Sequence, residues 1–177
     1  MKKVLIIIGF LVIAVFTYLC IEGLLTDVVV TEQAMPGYSV MGFEHVGPYE
    51  KIGDAFQRIE AVAKENGVAV NMIGIYYDDP KTVAKDSLRA LAGLIVNSID
   101  SMKLSGVTGM TSLTIPAGDA VVCDFATKSA ASMIIGAMKC YPKLTDYAVQ
   151  AKRAESIRHV YEVYGEGSTK YVMQFGE

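Results

Sequence analysis

Residues 71–80, NMIGIYYDDP, start as a buried strand and end in two adjacent acids and a proline. The run from Met72 to Tyr77 suits a pleated, packed surface. Asp side chains hydrogen-bond nearby backbone N–H groups and proline donates nothing to a ladder, so Asp78-Asp79-Pro80 is expected as a turn. A metal or acid/base site is the poorer reading, because the two acids are sequence neighbours at a strand end with no histidine close by. Within the strand, Met72, Gly74 and Tyr76 share one face while Ile73, Ile75 and Tyr77 share the other. Gly beside Tyr packs poorly against a helix but lines a shallow apolar cavity. Met72, Gly74 and Tyr76 are therefore expected to face a cleft, with Tyr77 in the core.

Working outward, "GYSVMGFEHV" (37–46) alternates as a strand, and Pro48 opens a helix that places Ile52, Phe56, Ile59 and Ala63 on one face. Asn66-Gly67 ends that helix, since Gly tolerates the left-handed geometry of a carboxyl cap. "SLRALAGLIV" (87–96) follows the turn as a third strand. The order then recurs: "IPAGDAVVCDFA" (115–126) is a strand and Ser129 to Cys140 an apolar helix. Pro142 is expected to break that helix before a second piece carrying Leu144, Tyr147, Ala148 and Ala151. "SIRHVYEVY" (156–164) and "TKYVMQF" (169–175) close the chain as a hairpin around Gly165-Glu166-Gly167-Ser168. The pattern predicts an α+β domain over 37–177, built from two βαββ units at about 37–96 and 115–176 with residues 97–114 as connector. Their strands form one antiparallel-type sheet with two packed helices, joined about a pseudo-twofold axis. The concave seam between the halves is the expected ligand site.

Ahead of this domain, Lys2 and Lys3 precede an uncharged run from Val4 to Ile21, closed by Glu22. Eighteen helical residues rise about 27 Å, enough for a hydrocarbon core. Residues 1–25 are therefore expected to be an uncleaved transmembrane anchor, meeting the membrane through residues 4–21, with 26–36 as a polar linker. The run is long for a cleaved signal, and no small-x-small site follows it. The lysines before the span and Glu22, Asp27 and Glu32 after it put the domain on the extracytoplasmic side by the positive-inside rule. Sixteen basic residues against nineteen acidic, with no basic block, exclude the footprint of a nucleic-acid binder. Of three cysteines, Cys20 falls in the span, so Cys123 and Cys140 allow one internal disulfide at most, and buried free thiols are the expectation.

"FEHVGPYEKIG" (43–53), "GIYYDDPKTVAKDSLRALAGLIV" (74–96), "IPAGDAVVCDF" (115–125), "CYPKLTDYA" (140–148) and "HVYEVYG" (159–165) resemble, in order and character, a GyrI-like small-molecule-binding domain. The resemblance covers everything after Pro36 and extends to the duplicated architecture of SOUL haem-binding proteins. A span directly followed by such a domain is also similar to an endoplasmic-reticulum autophagy receptor of animals, which would put the domain in the cytosol. That receptor continues into a disordered tail with an autophagy motif, whereas this chain stops at Glu177, so its function is not expected to transfer.

In "HVYEVY", Val160, Glu162 and Tyr164 share a face. Multidrug-binding members of the family hold an acid in an aromatic pocket for cations, which implies that role for Glu162. A desolvated carboxylate attracts a cation and ring faces add cation–π attraction. The competing reading sets Glu162 on the solvated face of an edge strand. The expected ligand residues are Glu162, Tyr164 and Tyr76, with Met72 and Gly74 shaping the wall. Glu44, on a face with Tyr38, Val40 and Gly42, is a weaker candidate, and Tyr49 is either a cleft residue or a packing staple. His45 and His159 are the only histidines, so no zinc site or catalytic triad can be built from neighbours, and a haem on a lone axial His is not expected. The reading is a membrane-anchored binder of an apolar or amphipathic molecule, neutral or cationic. The alternatives are a hydrolase of reactive small molecules directed by Glu162, and an adaptor that displays the domain to a protein partner.

Overall fold

The computed structural model describes residues 2–176. Helix α1 (Lys2–Ile21) is exposed along nearly its whole length. Strands β1 (Val30–Met35) and β2 (Tyr38–Val46) follow, then a 3-10 turn at Tyr49–Lys51, helix α2 (Gly53–Glu65) and strands β3 (Met72–Tyr76) and β4 (Arg89–Ile95). Helix α3 (Ser98–Leu104), strands β5 (Thr111–Ile115) and β6 (Gly118–Ala126), helix α4 (Ala130–Gln150) and strands β7 (Ile157–Gly165) and β8 (Ser168–Phe175) complete the chain.

All eight strands form one antiparallel sheet in the order β1-β6-β8-β7-β3-β4-β2-β5. Exchanging the halves reverses this order without changing it, so the duplication is a true pseudo-twofold whose axis passes through the β3–β7 seam. Each half is ββαββ, and its first strand is lent to the other half: β1 pairs with β6, and β5 with β2. Both lent strands lie in segments expected to be irregular, 26–36 and 97–114. Their patterns are weak because they are edge strands, with residues 31–34 of β1 all exposed.

The exchange also bends the sheet. Two residues, Pro36-Gly37, join β1 to β2, which stand six strand intervals apart, about 29 Å in a flat sheet. Two residues reach about 7 Å. The sheet must therefore curl until its ends meet, and an added Cβ at Gly37 would lie 3.2 Å from Ala117 N in the matching β5–β6 link. Inside the curl, with no helix over them, Ile73, Ile75, Leu91, Tyr161 and Val172 are fully buried against Met35, Val40, Ile115 and Ala120.

The two long helices cover the outer face. Ile59 and Ala63 of α2 pack with Met41, Phe43, Leu94 and Met72, and Ile135, Cys140, Leu144 and Ala148 of α4 pack with Val121, Phe125 and Met173. Pro142 does not break α4, which runs unbroken from Ala130 to Gln150. The hydrogen bond that proline forfeits is the one to the Met138 carbonyl, and both residues lie on the exposed side of the helix where water replaces it.

The end of α1 is fixed to the domain. Gly23, at φ +101°, caps it with Leu24 N donating to Leu19 O at 2.9 Å. Ser129 Oγ, at the N-cap of α4, donates to buried Glu22 at 2.6 Å, and Lys139 and Lys143 donate to the carbonyls of Leu24 and Val28. Cys123 and Cys140 are not free thiols. Their Cα atoms stand 5.8 Å apart and a disulfide joins β6 to α4.

Candidate functional site

At the seam, β3 and β7 pair so that Gly74 opposes Glu162. Side-chain alternation sends Met72, Gly74 and Tyr76 outward together with Val160, Glu162 and Tyr164, onto the face that α2 and α4 flank. Tyr76 and Tyr164 follow Gly74 and Glu162 by two residues each, so the halves contribute matching tyrosines that converge until their hydroxyls stand 3.2 Å apart.

Glu162 is only 7% exposed, yet among the described residues no basic group pairs with it. Three phenols hold it instead. Tyr164 donates to Oε2 at 2.7 Å, Tyr141 of α4 to Oε1 at 2.8 Å, and Tyr76 to Oε2 at 3.3 Å. Burial raises the Glu162 carboxyl above its ordinary range, and these hydrogen bonds pull it partly back. Burial, with the nearby carboxylate, drives the hydroxyls of Tyr76, Tyr141 and Tyr164 well above the usual phenol range, so they remain donors.

An aromatic wall surrounds this centre. Phe56 of α2 meets Tyr164 edge-on at 5.2 Å, Tyr49 meets Tyr76 at 5.0 Å, and Tyr171 meets Tyr141 at 5.6 Å. Gly74 makes room for it: a Cβ there would lie 3.0 Å from the Tyr164 hydroxyl and 3.2 Å from both Phe56 and the Tyr76 hydroxyl. The expected open cavity is thus a closed seam, its rings folded over the acid. The surface hollows of about 410 and 400 Å³ lie elsewhere, one between Val28–Val30 and Tyr147, the other beside Glu44, Tyr77 and Arg89.

The structure brings together Glu162, Tyr164, Tyr76 and Gly74 of the residues named from sequence. Tyr49 sets its ring against Tyr76 and spends its hydroxyl on the backbone of Asp78 and Arg89 at 2.8–3.1 Å, as a brace. Met72 packs under α2 with Phe43 and Leu94. Glu44 is exposed and stands apart from the seam, beside Tyr77. Tyr77 is 44% exposed rather than core, because β3 ends at Tyr76 and the chain leaves the wall there. Asp78 receives Arg89 through two side-chain bonds of 2.8 and 3.0 Å, and Asp79 Oδ1 accepts the Lys81 N–H, so both acids serve the turn. His45 bonds to Pro48 O at 3.0 Å, and His159 is half-buried. Tyr141 and Phe56 were missed as site residues. Tyr141 lies one turn from Ala137 and Leu144 on the packed face of α4, a position that reading Pro142 as the helix end hid.

The family model described as a GyrI-like small molecule binding domain matches residues 30–134. SAV2435 bound to tetraphenylphosphonium aligns at TM-score 0.54 and 12% identity, over 84% of this chain and 94% of that one. The EcmrR C-terminal domain aligns at 0.54 and 13%, over 85% and 98%. An integron cassette protein from the mobile metagenome of Vibrio cholerae aligns at 0.55 and 12%, over 85% and 99%. At such identities the likeness is one of fold. No curated protein matches.

Proposed function

The chain belongs to the GyrI-like small molecule binding domain family, and from that membership we propose that its β3–β7 seam takes an apolar or amphipathic cation on Glu162. The observation that carries this reading is a buried carboxylate with no cation of its own among the described residues. Burying an ionised carboxylate is costly unless it is paired, and three neutral phenols only soften that cost. A cation that entered between Tyr76, Tyr164 and Phe56 would supply the missing charge, ring faces would add cation–π attraction, and its apolar surface would leave water. Entry requires the Tyr76 and Tyr164 hydroxyls to swing off Oε2 while Tyr141 keeps its bond to Oε1, so those two rings act as a lid. The similar fold of SAV2435, solved with tetraphenylphosphonium, makes that cation the natural probe. The test is calorimetric titration of the full chain with tetraphenylphosphonium and with neutral triphenylphosphine oxide. Saturable binding of the cation alone supports the reading, and equal affinity for both overturns it.

Two further parts of the proposal concern placement. α1 is long and apolar enough to cross a membrane, and serves as an anchor. The domain then lies on the extracytoplasmic side, a reading supported by Lys2 and Lys3 before the span and by the Cys123–Cys140 disulfide, which persists in oxidising compartments. Protease digestion of intact cells tests it: cleavage without permeabilisation is expected, and protection contradicts it. A second chemical reading, hydrolysis of reactive small molecules with Glu162 directing water, rests on the same buried acid. Turnover of an electrophilic probe that stops in Glu162→Gln would favour it.

A further inference from the structure

The disulfide and the buried acid share one row of the sheet. Cys123 of β6 pairs with Tyr171 of β8, Tyr171 with Glu162 of β7, and Glu162 with Gly74 of β3. Cys123 and Glu162 are therefore two strand intervals apart, about 10 Å, on the face that α4 covers. α4 bridges that gap with consecutive residues: Cys140 is bonded to Cys123, and Tyr141 donates to Glu162 at 2.8 Å. Between the two anchor points stands Tyr171, its ring edge-on to Tyr141 and its hydroxyl donating to Met133 O at 2.8 Å. It fits there because position 136 is glycine, where a Cβ would lie within 3.0 Å of both Tyr171 and Phe125. The contacts of α4 in this row are thus a covalent bond, the Tyr141 hydrogen bond and its ring contact with Tyr171, one hydrogen bond to the α4 backbone and a side-chain-free notch. A helix residue advances 1.5 Å and turns 100°, so a small slide or rotation of α4 carries the Tyr141 hydroxyl out of reach.

We propose that the Cys123–Cys140 disulfide is a positioning element of the ligand site, holding α4 in the register that lets Tyr141 donate to Glu162. The proposal rests on the cation-binding reading for its effect on affinity, but its structural half stands apart from any ligand. Opening the bond removes the one covalent tie in the row and leaves α4 to its apolar packing, so the helix can shift; Tyr141 then leaves Oε1, and the carboxylate keeps Tyr164 and Tyr76 alone. The groups that face Glu162 are Tyr76 from β3, Tyr164 from its own strand, Tyr141 from α4 and, behind Tyr141, Tyr171 from β8. With one donor fewer the ionised form is held less well, so cation binding weakens and the pH at which it is half developed moves upward.

The experiment uses the full chain in lipid nanodiscs, oxidised or reduced. Dithiothreitol closes to its cyclic disulfide as Cys123 and Cys140 take up its two hydrogens and become thiols. The Cys123→Ala/Cys140→Ala variant reports the same state without reductant. Ultraviolet resonance Raman, as a difference against Tyr141→Phe, reads the Tyr141 hydrogen bond directly, and tetraphenylphosphonium titration reads the site. Expected is loss of the Tyr141 donor signature on reduction, about five- to tenfold weaker cation binding, and an upward shift of its pH midpoint. Reduction should add nothing further in Tyr141→Phe. An unchanged Tyr141 signature overturns the proposal, as does an equal affinity loss in the Tyr141→Phe background. Unfolding of both the reduced chain and the double variant also overturns it, since the bond is then a staple of the fold. Absence of cation binding to the oxidised chain refutes the ligand reading, while the Raman result still decides the positioning.

Discussion

Replacing Glu162 with Gln removes one charge and almost no volume. In the folded chain the amide oxygen still accepts from one side, and the amide nitrogen donates to a phenol that rotates its hydrogen away. The fold is therefore expected to survive and to gain stability at neutral pH, because a buried charge with no cation disappears. The ligand loses more. A cation about 5 Å from the carboxylate, at an effective dielectric of about 20, is attracted by about 3 kcal/mol. Part of this is offset by desolvation, leaving a net loss of about 1.5–3 kcal/mol, or about 10- to 150-fold in affinity. The assay is titration of both chains with tetraphenylphosphonium, alongside triphenylphosphine oxide as the neutral control. Neutral binding should change by less than about twofold. Cation affinity equal in the two chains, with the variant folded, would refute the charge role of Glu162.

Gly74→Ala pushes a methyl against the Tyr164 hydroxyl, the Tyr76 hydroxyl and Phe56, all side-chain ends that can yield by a few tenths of an ångström. Because an alanine orders more readily in a strand, thermal stability should change by less than about 1 kcal/mol while tetraphenylphosphonium affinity falls; unchanged affinity would show that the seam is not the site. Tyr49→Phe removes the hydroxyl that braces Asp78 and Arg89 and should cost about 1–2 kcal/mol in chemical denaturation, yet leave cation affinity within about twofold because its ring contact with Tyr76 remains. Glu162 also links stability to pH. Its folded value is raised above the ordinary 4.5, so the neutral acid favours the folded state; that contribution is whole below the unfolded value and fades as pH rises through the folded one. Cation binding has the opposite sign and strengthens over the same rise, and a pH series should show the affinity trend in the native chain but not in Glu162→Gln, with the melting-temperature curves of the two chains diverging as pH rises.

Much of this was legible in the residues. The repeat was visible because β2, β3, β4 and their counterparts β6, β7, β8 carry packed faces whose alternation survives in the chain. The lent strands were not, since "VTEQAM" at 30–35 is wet on both faces from Thr31 to Ala34 and buries only Met35. Without β1 and β5 the curl of the sheet could not be deduced, nor the reason why Ile73, Ile75 and Tyr161 need no helix above them. At the site, Glu162 beside Gly74 could be anticipated from strand faces, because alternation is a local rule. Tyr141 could not, since its place depends on a proline that a helix tolerates when its lost bond points to water. The disulfide was unreadable for a related reason, as it depends on how α4 lies over β6.

The central claim is that a cation enters the seam and takes over the Glu162 carboxylate from Tyr76 and Tyr164. A crystal structure of the chain with tetraphenylphosphonium tests it most directly. The account predicts the phosphonium between Tyr76, Tyr164 and Phe56, with at least one hydroxyl swung off Glu162. Density for the cation in the hollow at Val28 and Tyr147, with all three tyrosines still bonded to Glu162, would contradict it.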